Sequence, residues 1–116
     1  MRAMLAMLAV AGAIAPAAAT DLRAEGFRML TGSQIRAAFA GRTFADDVHF
    51  SFLYTATGKI EGTGMGTKVS RRWRVQKNEL CETNSFGENC YAIWRKGEIV
   101  RLVIGDDGVF AEGTLK

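Results

Sequence analysis

The chain has 116 residues and a formal net charge of +3, from 15 basic and 12 acidic side chains. This length allows one domain, and the mild positive charge gives no support for a nucleic-acid-binding protein. Two cysteines and a single histidine are too few ligands for a typical zinc site. We therefore predict no metal, no cofactor and no nucleic-acid partner.

The first residues, MRAMLAMLAVAGAIAPAAA, have the pattern of a secretory signal peptide. Arg2 precedes an uncharged apolar stretch and then small residues, so we place cleavage after Ala19, with Ala17 as the alternative. The apolar run over residues 3–15 is shorter than the roughly 20 residues that span a membrane core. Removal of residues 1–19 from the 116 leaves a mature chain of 97 residues. We expect this mature chain to have no stable membrane span and to be located in the periplasm or outside the cell.

Residues 20–29 show no clear periodicity and are predicted to form an extended lead-in. One short helix is predicted over the next segment, LTGSQIRAAFAG at residues 30–41. Thr31 and Gln34 form a capping box, in which each side chain satisfies the other residue's backbone N–H, and Gly41 suits the end of the helix. A helix this short is marginal alone, so it is predicted to cover one open end or face of a sheet.

The rest of the single domain, which covers residues 30–116, is predicted to be mainly β. Residues 48–54 alternate between apolar and polar, the period of a half-buried strand, and turn signals then recur about every ten residues. The strongest hairpin signal is Asp107-Gly108. We predict an antiparallel meander sheet or half-open barrel of six or seven strands with one short N-terminal helix. The strands predicted after residues 48–54 cover residues 67–75, 79–83, 90–95, 98–104 and 109–115.

A polar loop between two apolar-alternating segments carries the only two cysteines, Cys81 and Cys90, at its ends. In an exported protein this spacing predicts a disulfide that ties a hairpin. The C-x-x-C spacing of a redox pair is absent. Phe86, at the tip of the loop, is either a recognition anchor or, as we favour, folded back over the rim of the barrel.

Three arginines predict a cationic patch near this hairpin. Alternation places Arg72 and Arg74 on the outer face of one strand, and Arg95 lies on a strand nearby. Such a patch suits an acidic partner or an anionic envelope surface. The alternative is that the arginines keep the sheet soluble and pair across strands with Glu79, Glu82 or Glu98.

Gly62, Gly64 and Gly66 alternate along one segment, which strips one face of a strand of side chains. They do not form the G-x-G-x-x-G fingerprint of a dinucleotide site, because the next segment is a strand. Either Trp73 or Trp94 lies over the bare face, or the face forms a groove for a ligand.

Asp47, His49 and Ser51 invite comparison with a catalytic triad. Residues at i, i+2 and i+4 of a strand point in parallel, however, and do not converge within hydrogen-bond reach. A G-x-S-x-G nucleophile elbow is also absent. We predict no catalytic residues and interpret these side chains as a solvated outer face.

Four segments together resemble a group of small exported proteins of Gram-negative bacteria: LTGSQIRAAFAGRTF, the later G-x-G stretch, RRWRV and the C…CYAIWRKGE hairpin. In that group an L-T-G-x-x-I helix precedes a W-R-V strand and a C…C-Y hairpin. The resemblance covers Leu30 to about Ile104. It implies a periplasmic β fold of unknown function and supplies no catalytic residues.

We expect a monomeric, non-catalytic periplasmic binding or interaction module, with inhibition of a hydrolase as one concrete form. Its partner would be an unknown envelope or secreted protein, or an acidic surface. The alternative is a small carrier that holds an apolar ligand in the mouth of a barrel, and a hydrolase is the least expected. A carrier should contain a cavity of a few hundred Å³ lined by Phe50, Phe52, Trp73, Ile93 and Leu102.

Overall fold

The structure, a computed structural model, describes residues 17–105 and 108–116, with side chains from residue 21 onward. Most of the predicted signal peptide and Asp107 of the predicted hairpin turn lie outside these residues. No helix in the described ranges is long and apolar enough to cross a membrane.

Two helices and nine strands make up the described chain. The helices are α1 (Ala17–Ala24) and α2 (Gly32–Phe39). The strands are β1 (Arg28–Met29), β2 (Arg42–Ala45), β3 (Phe50–Tyr54), β4 (Lys59–Gly64), β5 (Thr67–Gln76), β6 (Glu79–Asn84), β7 (Gly87–Lys96), β8 (Ile99–Val103) and β9 (Val109–Leu115).

Strands β2 to β9 form a closed antiparallel barrel in which each strand pairs with the next, and β9 pairs with β2. The short strand β1 adds to one edge of β7. The predicted mainly β, antiparallel architecture is confirmed. The prediction of an open meander sheet or half-open barrel of six or seven strands is wrong, because eight strands close the barrel. Local patterns missed β2, which is four residues long, and β4, which carries two glycines. Closure gives each of the eight strands a partner on both sides, although β2 and β9 pair only at Phe44–Leu115 and Ala45–Thr114.

Helix α2 seals one end of the barrel. Its capping box is present, since the Gln34 N–H donates to Thr31 Oγ1 at 3.3 Å and the Thr31 N–H donates to Gln34 Oε1 at 2.9 Å. The N–H of Gly32 donates to the side chain of Asn78 in the β5–β6 turn at 2.8 Å. Ile35 and Phe39 are fully buried in the barrel interior. The sealed end is therefore the end at which β5 passes into β6.

Helix α1 covers part of the outer surface of the barrel, where an extended lead-in was expected. It ends in a Schellman motif, because the N–H of Gly26 donates to Arg23 O and that of Phe27 to Leu22 O. Leu22 and Phe27 pack with Trp94 in a second hydrophobic cluster outside the barrel. Leu22 lies beyond the predicted cleavage site, so cleavage after Ala19 would leave these contacts in place.

Candidate binding site

A cavity of about 500 Å³ opens at the end of the barrel opposite α2. Consecutive antiparallel strands turn at alternate ends, so the β2–β3, β4–β5, β6–β7 and β8–β9 connections all lie at this open end. The wall of the cavity is mainly apolar, formed by Phe44, Phe50, Phe52, Met65, Val69, Leu102, Phe110 and Ala111.

Glycines let aromatic rings lie against the barrel wall. A Cβ atom at Gly64 would stand 3.2 Å from Phe52 Cζ, and one at Gly113 would stand 2.9 Å from Phe44 Cε1. Both distances are shorter than ordinary van der Waals contacts, so a side chain at Gly64 would displace the Phe52 ring that lines the cavity. A Cβ at Gly113 would meet Ala45 O first, at 2.7 Å, so this glycine also permits the close approach of β9 to β2.

The other members of the predicted glycine groove have different roles. A Cβ at Gly62 would clash with Ser51 O, so this glycine permits close backbone approach between β3 and β4. Gly66 lies in the β4–β5 turn with φ +79. Trp73 is buried inside the barrel and donates to Thr55 O, whereas Trp94 lies outside under α1. Phe52, and neither tryptophan, covers the bare face at Gly64.

Three polar side chains from different strands meet at the floor of the cavity. The hydroxyl of Tyr54 donates to Glu82 Oε2 at 2.5 Å, and Arg71 Nη1 donates to Glu82 Oε1 at 3.2 Å. Glu82 is the one buried charged residue in the described chain, 7% exposed. Burial and the nearby carboxylate of Glu82 raise the pKa of Tyr54 well above its ordinary value, so its hydroxyl remains a donor.

The sequence patterns do not predict this group, and Glu82 is expected only as a partner for outer arginines. It lies two residues from the buried Leu80, however, and so on the inner face of β6. Arg71 shares the inner face of β5 with Trp73 in the same way. A charged residue on the apolar face of an alternating strand was the signal in the sequence that could have indicated this site.

The β2–β3 loop forms one side of the rim. Asp46 Oδ1 accepts backbone N–H bonds from Val48, His49 and Phe50 at 2.9, 2.6 and 3.0 Å, and Oδ2 lies 2.7 Å from His49 Nδ1. Burial opposes ionisation, but these hydrogen bonds outweigh it and hold the pKa of Asp46 well below its usual range. The loop is therefore ordered around one carboxylate.

Asp47, His49 and Ser51 are not brought together. Strand β3 begins at Phe50, so the first two residues lie in the preceding loop. Asp47 pairs with Lys116 at 3.0 Å, while His49 pairs with Asp46. The parallel row expected on one strand is replaced by two separate surface contacts, an Asp47–Lys116 ion pair and a His49–Asp46 hydrogen bond, and no catalytic constellation results from these residues.

The predicted disulfide between Cys81 and Cys90 is confirmed and joins directly opposed residues of β6 and β7. Phe86, at the tip of this hairpin, is 97% exposed, so the expectation that it folds over the rim is wrong. Phe86 is one of the two turn residues, and these lie beyond Asn84 and Gly87, the last paired residues of β6 and β7. Nothing in the described chain covers it there.

The three predicted arginines do not form one patch. Arg74 makes two 2.8 Å hydrogen bonds to Glu88, and this contact lowers the pKa of Glu88. Arg72 is exposed, opposite Lys59 and Thr83. Arg95 lies near α2 at the sealed end, where its Nε donates to Gly97 O at 2.7 Å. Glu88, which was not among the expected partners, neutralises the arginine beside the disulfide.

Comparisons of the chain with protein-family models, with curated proteins and with solved structures found no match. The resemblance to small exported Gram-negative proteins stays a prediction.

Proposed function

We propose that this protein is a carrier that binds a small, mainly apolar ligand in the open end of the barrel. The observation that supports this function is the 500 Å³ apolar cavity, which lies opposite the end sealed by α2. Small-molecule sites have this size and combine an apolar wall with a few polar groups. Of the side chains expected to line a carrier cavity, Phe50, Phe52 and Leu102 do so, whereas Trp73 and Ile93 pack in the core.

Exposed apolar side chains at the entrance give further support. Phe110 is 62% exposed and stacks on Tyr91, with 5.1 Å between the ring centroids. Met65, on the opposite side of the entrance, is also largely exposed. Covering a large apolar side chain stabilises a complex by about 1.5–3 kcal/mol, so an apolar ligand would be favoured by the entrance as well as by the wall.

Fluorescence of the neutral apolar probe N-phenyl-1-naphthylamine tests this function. We expect saturable enhancement with the wild-type protein, and at least about tenfold weaker binding after Ala111→Phe, which places a ring in the cavity. The matched control is Ala56→Phe, an equal enlargement at an exposed residue of the β3–β4 turn at the sealed end. Absence of probe binding, or equal affinity in both folded variants, would contradict the proposal.

A protein-interaction module is the second candidate, because Phe86 is exposed on a hairpin that the disulfide constrains. A constrained loop presents an apolar anchor at reduced entropic cost. In pull-downs from periplasmic extract, a specific partner should be lost with Phe86→Ala plus Arg72→Ala. It should be retained with Ile99→Ala, a change at an exposed apolar residue of β8 outside this hairpin. Identical capture by both variants would rule out the hairpin as the binding surface.

A further inference from the structure

The polar floor of the cavity restricts what kind of ligand can bind. Both carboxylate oxygens of Glu82 already have a donor, one from Tyr54 and one from Arg71. A guanidinium group carries five N–H donors, and within the described chain Glu82 is the one acceptor hydrogen-bonded to Arg71. Donors of Arg71 are therefore left for a ligand, while each oxygen of Glu82 already accepts one hydrogen bond and its negative charge faces Arg71.

Arg71 is held so that these donors face the cavity. Its side chain is 31% exposed and contributes to the cavity lining. Its guanidinium carbon lies 5.3 Å from the centroid of the Phe52 ring, and the hydrogen bond to Glu82 fixes its other side. Tyr54 holds Glu82 in turn, so Tyr54 and Glu82 are positioning residues for Arg71.

The charges around the cavity are already paired. The positive charge of Arg71 faces Glu82, and Glu112 at the rim pairs with Arg101 at 2.6 Å. Asp46 uses Oδ1 for three backbone N–H groups and Oδ2 for His49. An anion entering this space would lose its hydration without meeting an uncompensated cation, and a cation would meet carboxylates that already face Arg71, Arg101 or backbone N–H groups.

We propose that the ligand is an uncharged molecule with a mainly apolar body and an oxygen acceptor, such as a ketone or ester carbonyl, which accepts a hydrogen bond from Arg71 at the cavity floor. This inference rests on the proposed carrier function and specifies its ligand class. The apolar body packs against the aromatic wall, where the Phe50 and Phe52 rings stack 5.2 Å apart.

Displacement of N-phenyl-1-naphthylamine from the wild-type protein by four eight-carbon compounds tests the ligand class. Octan-2-one has a neutral acceptor, octane has none, octanoate is an anion and octylamine is a cation. We expect octan-2-one to bind about tenfold more tightly than each of the others, the effect of one hydrogen bond to a charged donor. Equal binding of octane, or tighter binding of octanoate or octylamine, would overturn the inference while the carrier function stands.

A pair of double variants assigns the preference to Arg71. The double variant Arg71→Met with Glu82→Gln removes both charges. The amide oxygen introduced at position 82 can still accept the hydrogen bond from the Tyr54 hydroxyl. We expect octan-2-one to fall to the affinity of octane, so that the ratio of their two displacement constants, measured on the same variant, approaches one. Arg74→Met with Glu88→Gln makes the same change in an ion pair on the outer face of the barrel and should retain the ketone preference.

The two hypotheses fail in different ways. If the wild-type protein does not bind the probe, the carrier function fails and the ligand class with it. If the probe binds but both double variants prefer octan-2-one equally, Arg71 is not the donor. Should the Arg71 variant not fold, the four-compound series on the wild-type protein still decides the ligand class.

Discussion

The two ends of the barrel contain similar side chains but differ in what those side chains do. At the sealed end, Phe39 of α2 is fully buried and meets Tyr54 edge-on, with 4.9 Å between the ring centroids. At the open end, Phe50 and Phe52 stack on each other along the wall and border a cavity. Aromatic residues alone therefore do not decide between core and binding site. The difference is that a helix supplies the missing surface at one end only.

The largest difference between the ends should be in stability. Phe39→Ala removes a fully buried ring and should lower the free energy of unfolding by about 3–5 kcal/mol. Phe110→Ala, at the open end, removes a ring that is mostly exposed and should cost less than about 1 kcal/mol. Urea unfolding followed by tryptophan fluorescence measures both. Similar losses for the two variants would show that the open end is packed as a core.

The disulfide lies between these extremes. Replacing both Cys81 and Cys90 by serine frees a loop of ten residues, counted from the sequence separation of 9, and should lower the free energy of unfolding by about 2.5–3 kcal/mol. Probe binding by the folded variant should be unchanged, because neither cysteine lines the cavity. Weaker binding at a temperature where the variant is folded would mean that the hairpin shapes the open end.

The smallest expected effect is the pH dependence of the rim. The hydrogen bonds to Asp46 hold its folded-state pKa below the ordinary 3.8, so its contribution to stability is fully present above that pH. The contribution is lost as the pH falls below 3.8 towards the folded-state pKa. Asp46→Asn should therefore be less stable than wild type at pH 7, and the gap should narrow at pH 3.

Melting temperatures at pH 7, 5 and 3 measure this effect. The matched control is Asp47→Asn, the adjacent residue, whose pairing with Lys116 is exposed at both partners and should contribute at most about 1 kcal/mol. A gap between wild type and Asp46→Asn that stays constant from pH 7 to pH 3 would mean that the carboxylate of Asp46 does not organise the loop.

Local signals predicted local structure well. The capping box at Thr31 and Gln34 needs only residues three apart in the chain, and it forms as expected. Gly41 follows the helix with φ +77, the conformation for which glycine is favoured. The end of α1 also has a local signal in the sequence. Gly26, with the apolar residues Leu22 and Phe27 on either side, is the pattern of a Schellman motif and indicates the end of a helix.

The candidate site could not be predicted in this way. Tyr54 and Glu82 are 28 residues apart and meet only because β3 to β6 take one particular register inside the barrel. A shift by one residue would turn either side chain to the outside. Alternation places Glu82 on the same strand face as Leu80, and Arg71 on the same face as Trp73. It does not show that either side chain comes within reach of Tyr54.

Short stretches of sequence predict the β character of the chain, the helix that seals one end and the cysteine pair that ties one hairpin. Three other features arise only in the folded chain: β9 pairs with β2, α1 packs outside over Trp94, and Arg71 and Glu82 face a cavity. These features depend on contacts between segments that are far apart in the sequence. The free energy of such contacts cannot be inferred from the pattern of a short stretch.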